Sequence, residues 1–133
     1  MSQLALHLLL IVKILLIIWG VMGLIEYLEP SADFGLQDAN FPPGVQFLHW
    51  QLIILTGLFF VGGYVLRWRH TVSVTIAMYA TLATLCFVET VDFDAFGGGP
   101  GRFLIMSAEY ALYVALSVYL LRSRSVKDRF RGA

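Results

Sequence analysis

The chain has 133 residues, 59% of them hydrophobic and 14% charged, with nine basic and nine acidic side chains and a mean hydropathy of +0.77. Soluble domains carry about a quarter of their residues as charges; a water-soluble core of this size could not hide so much apolar surface, whereas lipid accepts it. Zero net charge leaves no global field to attract nucleic acid, and the single cysteine, Cys86, excludes an intrachain disulfide and any cysteine-based metal motif.

Crossing a hydrocarbon core of about 30 Å takes roughly 20 apolar residues. The first such run covers about 4–28. It is too long for the apolar part of a cleavable leader, contains Lys13 and lacks a small-x-small cleavage site, so it reads as a membrane span. The segment 29–45 follows, with Glu29, Asp33 and Asp38 but no Lys or Arg. Its Pro42-Pro43 pair disfavours helix and should deliver the chain stiffly into a second span, about 46–66. Arg67-Trp68-Arg69-His70 is a short turn, which predicts that the second span and a third, about 71–90, are antiparallel neighbours. Asp92 and Asp94 precede the breaker run Gly97-Gly98-Gly99-Pro100-Gly101, read as an external hinge. A fourth span covers about 103–121, and a basic tail, 122–133, closes the chain.

In lipid each span must be helical, because no water satisfies unpaired backbone groups. The expected fold is therefore all-α: an integral-membrane, antiparallel four-transmembrane-helix bundle forming one domain over 1–133. Arg67, Arg69 and the five basic residues of the tail fall on one side of the spans, and of the loop residues only Arg102 falls on the other. Because short loops rich in Lys and Arg stay in the cytoplasm, both termini are expected there, in a multi-pass protein. Trp50, Trp68, Tyr27 and Tyr119 fall near span ends, as interfacial aromatics do. The tail charges are explained by topogenesis and lipid headgroups, and no nucleic-acid partner is expected.

Ionisable groups inside a span cost roughly 2.5–3.5 kcal/mol on insertion scales, so each needs an explanation. Lys13 lies about nine residues into its span, roughly 13 Å deep; it either snorkels to the interface or has an internal partner. Glu109 lies about 10 Å inside the opposite boundary and should face the bundle interior. Arg102, Met106, Glu109, Tyr113 and Ser117 recur at helical spacing, so Lys13, Glu109, Tyr113 and Ser117 are candidates for a ligand site or for an interhelical polar seam. Glu26, His49 and Glu89 converge on the outer leaflet by topology. With Glu109 they have ligand types that suit iron, manganese or copper, but no helix carries a Glu-x-x-His pair, and no metal is expected; an interfacial polar ring is the simpler reading. His7 and His70 read as solvated. Gly20 and Gly23, and separately Ser73, Ala77, Thr81 and Thr84, form small-residue faces suited to close helix approach, within the chain or with another.

The stretch Gly57-Leu58-Phe59-Phe60-Val61-Gly62-Gly63-Tyr64-Val65-Leu66-Arg67 resembles the DoxX-like family of small four-span bacterial membrane proteins, in which a glycine-containing apolar helix runs into a short basic turn. The resemblance extends to the overall plan of the chain. It implies a bacterial inner-membrane location and an association with membrane redox chemistry involving quinone. Where the family often opens its second span with Glu, this chain has Gln46, His49 and Gln51. A fainter resemblance, carried by Pro42-Pro43 and the intramembrane carboxylates, is to the four-helix sterol-isomerase-like fold.

Short loops, the absence of a strong catalytic motif and the small-residue faces lead to the expectation of an accessory or structural subunit of a larger membrane complex, such as a respiratory or redox one. Its partners would be the bilayer and other membrane subunits or further copies of itself. The alternative is a DoxX-like redox or quinone- or lipid-binding protein with a pocket near Glu109. No cofactor is required by the sequence; quinone or lipid is the occupant the alternative would take.

Overall fold

The computed structural model of the protein describes residues 2–29, 31–32, 34–36, 42–93 and 99–131. Among these residues there are helices and no strands: α1 (Ser2–Leu28), α2 (Pro43–Leu66), α3 (Thr71–Val91), α4 (Gly101–Arg122) and the short α5 (Arg124–Arg129). The first four are each long and apolar enough to cross a membrane. Asp33, Asp38, Asp94 and the Gly97-Gly98 pair lie outside the described residues. The prolines expected to hold the chain out of helix instead begin one. Pro42 is the N-cap of α2 and Pro43 sits in its first turn, where a missing N–H costs nothing because first-turn amides have no intrahelical acceptor.

The helices pack in chain order, α1 on α2, α2 on α3 and α3 on α4. The α1–α2 seam is closed by glycines. A Cβ on Gly23 would collide with the Trp50 ring, and one on Gly20 would stand 2.7 Å from Cγ1 of Ile54. From the other side, Gly57 admits Ile17 and approaches the Lys13 carbonyl. Trp50 is thereby only 2% exposed and acts as a packing residue between helices, not as an interfacial anchor. The small-residue face of α3 behaves differently: Ser73, Ala77, Thr81 and Thr84 are all exposed, so that stripe does not serve packing within the chain.

The turn between α2 and α3 is a Schellman-type cap. The Trp68 N–H donates to the Gly63 carbonyl (2.9 Å) and the Arg67 N–H to that of Tyr64 (3.4 Å). The geometry puts Arg67 in the left-handed region (φ 55°, ψ 36°), where glycine is the usual occupant. Gly63 faces the side chain of Thr71, whose hydroxyl donates to the Trp68 carbonyl at 2.6 Å and pins the start of α3.

The basic tail is folded. α5 packs on both α1 and α4 and buries Val126 and Phe130 in a core with Leu6, Leu9, Phe60, Tyr79 and Leu120. Arg129 donates through Nε (3.0 Å) and Nη2 (2.7 Å) to the Tyr64 carbonyl, one of the acceptors left over at the end of α2. Its guanidinium also lies 4.1 Å from the Tyr64 ring centroid. Outside this plug the residue distribution is inverted relative to a soluble protein. Leu15, Leu104, Val114 and many other large apolar side chains face outward, while Lys13, Glu26, Gln46, Thr56, Thr75, Glu89 and Thr90 are buried.

Candidate functional site

The helices enclose a cavity of about 660 Å³, within the range of pockets that hold small molecules. Each long helix contributes to its wall: Lys13 from α1, Gln46, His49 and Trp50 from α2, Tyr79, Cys86 and Glu89 from α3, and Glu109 and Tyr113 from α4. Its placement follows from helical spacing. On α3, Tyr79, Leu82, Cys86, Glu89 and Thr90 recur at intervals of three and four and share the inward face.

Two polar chains cross the cavity. In the first, the Lys13 Nζ lies 4.2 Å from the centroid of the Tyr79 ring. That ring stacks on Tyr113 at 5.3 Å with an interplanar angle of 23°. The Tyr113 hydroxyl reaches Glu109 Oε2 at 3.4 Å, and the Cys86 side chain lies near both Glu109 and Thr90. In the second, His49 Nδ1 and Glu89 Oε1 are 2.9 Å apart, joining the beginning of α2 to the end of α3, and the His49 ring stands edge-on to Trp50.

Lys13 is 4% exposed, so it does not snorkel; its partner is the face of Tyr79, and no carboxylate among the described residues lies within ion-pair reach. A desolvated cation–π contact is worth about 2 kcal/mol, which offsets only part of the cost of burying an ammonium. The Tyr79 hydroxyl is buried too and has no hydrogen-bond partner among the described residues. Buried polar groups are normally satisfied, so both mark a place where a further acceptor fits.

The structure brings together Lys13, Tyr113 and Glu109, and separately His49 and Glu89, in one cavity wall. It does not bring in Ser117, whose hydroxyl donates to the Tyr113 carbonyl of its own helix at 2.7 Å, nor Glu26. Glu26 accepts the N–H groups of Phe34 (2.6 Å) and Leu36 (3.1 Å), fastening the first loop to the end of α1. The cluster of three carboxylates and one imidazole is therefore not assembled, and no group of three or more His, Cys, Asp and Glu among the described residues is placed to hold a metal ion. Tyr79 and Cys86 are wall residues that sequence reasoning did not place in a site, and Trp50, expected at the interface, lines the wall as well. Cys86 entered the sequence reading only as a lone cysteine, yet its side chain lies near Glu109.

No family model, curated protein or solved structure matches the chain.

Proposed function

We propose that this is a multi-pass membrane protein, with its four long helices antiparallel and both termini cytoplasmic, that binds a lipid-soluble molecule in the cavity between them. The inverted distribution of side chains supports the membrane setting, since apolar surface of this extent is tolerated only against lipid or protein. The basic residues gathered in the 67–70 turn and the tail support the orientation. The observation that carries the binding reading is the cavity itself. An apolar enclosure with Lys13, Glu109 and the His49–Glu89 pair on its wall has the composition of a ligand site: mostly apolar, with a few directed polar groups. Its aromatic wall suits the flat head of a quinone as well as a lipid chain, in keeping with the DoxX-like resemblance and with a place in a bacterial inner membrane.

The test is purification in mild detergent, followed by solvent extraction and mass spectrometry. The expected result is a lipid-soluble molecule that co-purifies with the protein and is at least tenfold depleted in Glu109→Gln. An empty extract, together with a Glu109→Gln protein of unchanged ligand content and thermal stability, would refute the reading.

One observation favours a second role, as an accessory subunit of a larger complex. The stripe Ser73, Ala77, Thr81, Thr84 is exposed, and small-residue faces in bilayers permit close approach of another helix. A stoichiometric protein partner in the same preparation, released by Ala77→Leu, would establish that role.

A further inference from the structure

We propose that the cavity takes a single-chain anionic amphiphile, with a carboxylate or phosphate head, which enters sideways from the hydrocarbon between α1 and α4 and places that head on Lys13. The inference rests on the reading of the cavity as a site for a lipid-soluble molecule, and it adds the charge of the ligand and its route.

The route follows from how the helices pair. α1 packs on α2 and α4 on α3, while α1 and α4 share no extensive seam of their own and are bridged by α5 at one end, where Leu6 and Leu9 meet Leu120 in the same core. Val12, Leu16 and Trp19 of α1 and Leu112 of α4 line the cavity and are also exposed on the outer surface. Residues with both properties are the lips of an opening, and all four are apolar. Such a gap passes a hydrocarbon chain readily and a hydrated solute poorly. At the end where α5 packs, Phe60, Leu120, Val126 and Phe130 are buried together in an apolar plug.

The charge follows from the wall. Lys13 is a buried cation whose partner is an aromatic face, not an anion. The carboxylates nearby are engaged elsewhere: Glu89 with His49, Glu109 with Tyr113, and Glu26 with the backbone of the first loop. Glu109 lies beyond ion-pair reach of Lys13, near the level of Cys86, which is about 10 Å along α3 from Tyr79 at the helical rise. A head at Lys13 therefore meets one positive charge without displacing a bonded carboxylate. A ligand anion satisfies the ammonium, the unpartnered Tyr79 hydroxyl lies on the same residue, and the chain leaves through the lips.

The test uses full-length protein in phosphatidylcholine nanodiscs, in a Trp68→Phe background, so that Trp19 and Trp50 at the cavity report the result. The probes are a bromine-labelled fatty acid, its methyl ester, and a lysophosphatidate bearing the same brominated chain. Saturable quenching by an anionic probe, at least tenfold tighter than by the ester, is expected. Tighter binding of the fatty acid than of the lysophosphatidate assigns the carboxylate as the head, and the reverse assigns the phosphate. Lys13→Met, which removes a buried charge and should fold, is expected to abolish the preference for the anion; Lys13→Arg should keep it. Val12→Phe with Leu112→Phe, which narrows the lips, should slow quenching several-fold while leaving its final amplitude. Equal binding of acid and ester, an anion preference that survives in Lys13→Met, or an unchanged rate with the narrowed lips overturns this inference while leaving a lipid-soluble ligand in place. No saturable quenching by any probe removes the ligand-site reading as well.

Discussion

Toward α2, α1 presents Gly20 and Gly23 and takes Ile53, Ile54 and Trp50 against its backbone; Val12, Leu16 and Trp19 instead line the cavity, where α1 forms no extensive seam with α4. Both sides are apolar, so hydrophobicity alone does not distinguish them. In a bilayer the lipid is as apolar as leucine, and helices associate through close van der Waals contact, not through withdrawal from water. Glycine permits that contact on one side. On the other, bulky side chains keep the helices apart, and a cavity remains behind them. α4 shows the same effect from its own side, since Leu120 is its one buried residue among those described. The site is in this sense a consequence of where small residues are missing.

The strongest way to break the contrast is to give the closed side a large side chain. Gly23→Leu places a branched group where the Trp50 ring already lies, and neither the α1 backbone nor a ring packed at 2% exposure can yield cheaply. Overpacking of this kind costs roughly 3 kcal/mol, so the protein is expected to lose its monodisperse peak on size exclusion and its cooperative thermal transition. Gly62→Leu on the same helix as Gly57 is the control. A Cβ there meets nothing within 4 Å, and the change should stay within about 0.5 kcal/mol of wild type. Equal behaviour of the two variants would show that the seam is not held by close approach.

Of next size is the plug that ties α1 to α4. Phe130 is 4% exposed and stands edge-on to Phe60 and Tyr64 at 6.0 and 6.2 Å. Phe130→Ala removes the ring and leaves a cavity, at a cost of about 3 kcal/mol. Because α5 is short, the expected consequence is local: α5 detaches, Arg129 leaves the Tyr64 carbonyl, and trypsin cleaves at Arg124 and Arg129 many times faster while α1–α3 stay helical. Unchanged cleavage would mean that α5 is not what closes this end.

How much of this could be read in the sequence depends on whether the signal was chemical or geometric. The four long helices were legible because bilayer thickness sets a length that each apolar run meets. Lys13, His49, Glu89, Glu109 and Tyr113 were legible as polar groups in apolar surroundings, and all five line one cavity. Ser117 and Glu26 drew notice on the same ground, but local partners take them: a carbonyl one turn back on α4, and the amides of the first loop. Tyr79 and Cys86 escaped, and Trp50 was assigned to the interface, because aromatic and thiol side chains are ordinary in apolar segments and composition does not say which face turns inward. α5 escaped for a different reason. Its basic residues dominate the reading of 122–133, although Val126 and Phe130, four residues apart, already mark one buried helical face.

The smallest effect, and one of opposite sign, comes at the turn that sets α3 beside α2. Arg67 occupies a left-handed conformation that costs an L-residue about 1 kcal/mol; its side chain is exposed, and its backbone N–H holds the turn by donating to the Tyr64 carbonyl. Glycine adopts that conformation freely, but it also gives the unfolded chain more freedom to lose, which returns part of the gain. Arg67→Gly should therefore raise stability by roughly 0.5 kcal/mol, measurable as a small rise in melting temperature, with the Trp68–Gly63 hydrogen bond retained. The same substitution removes one of the basic charges proposed to hold this turn in the cytoplasm, leaving Arg69 and the tail to do so. A stabilised protein with unchanged orientation would show that turn geometry and topogenic charge act on this residue independently. A destabilised one would mean that the Arg67 side chain contributes more to the turn than its strained backbone costs.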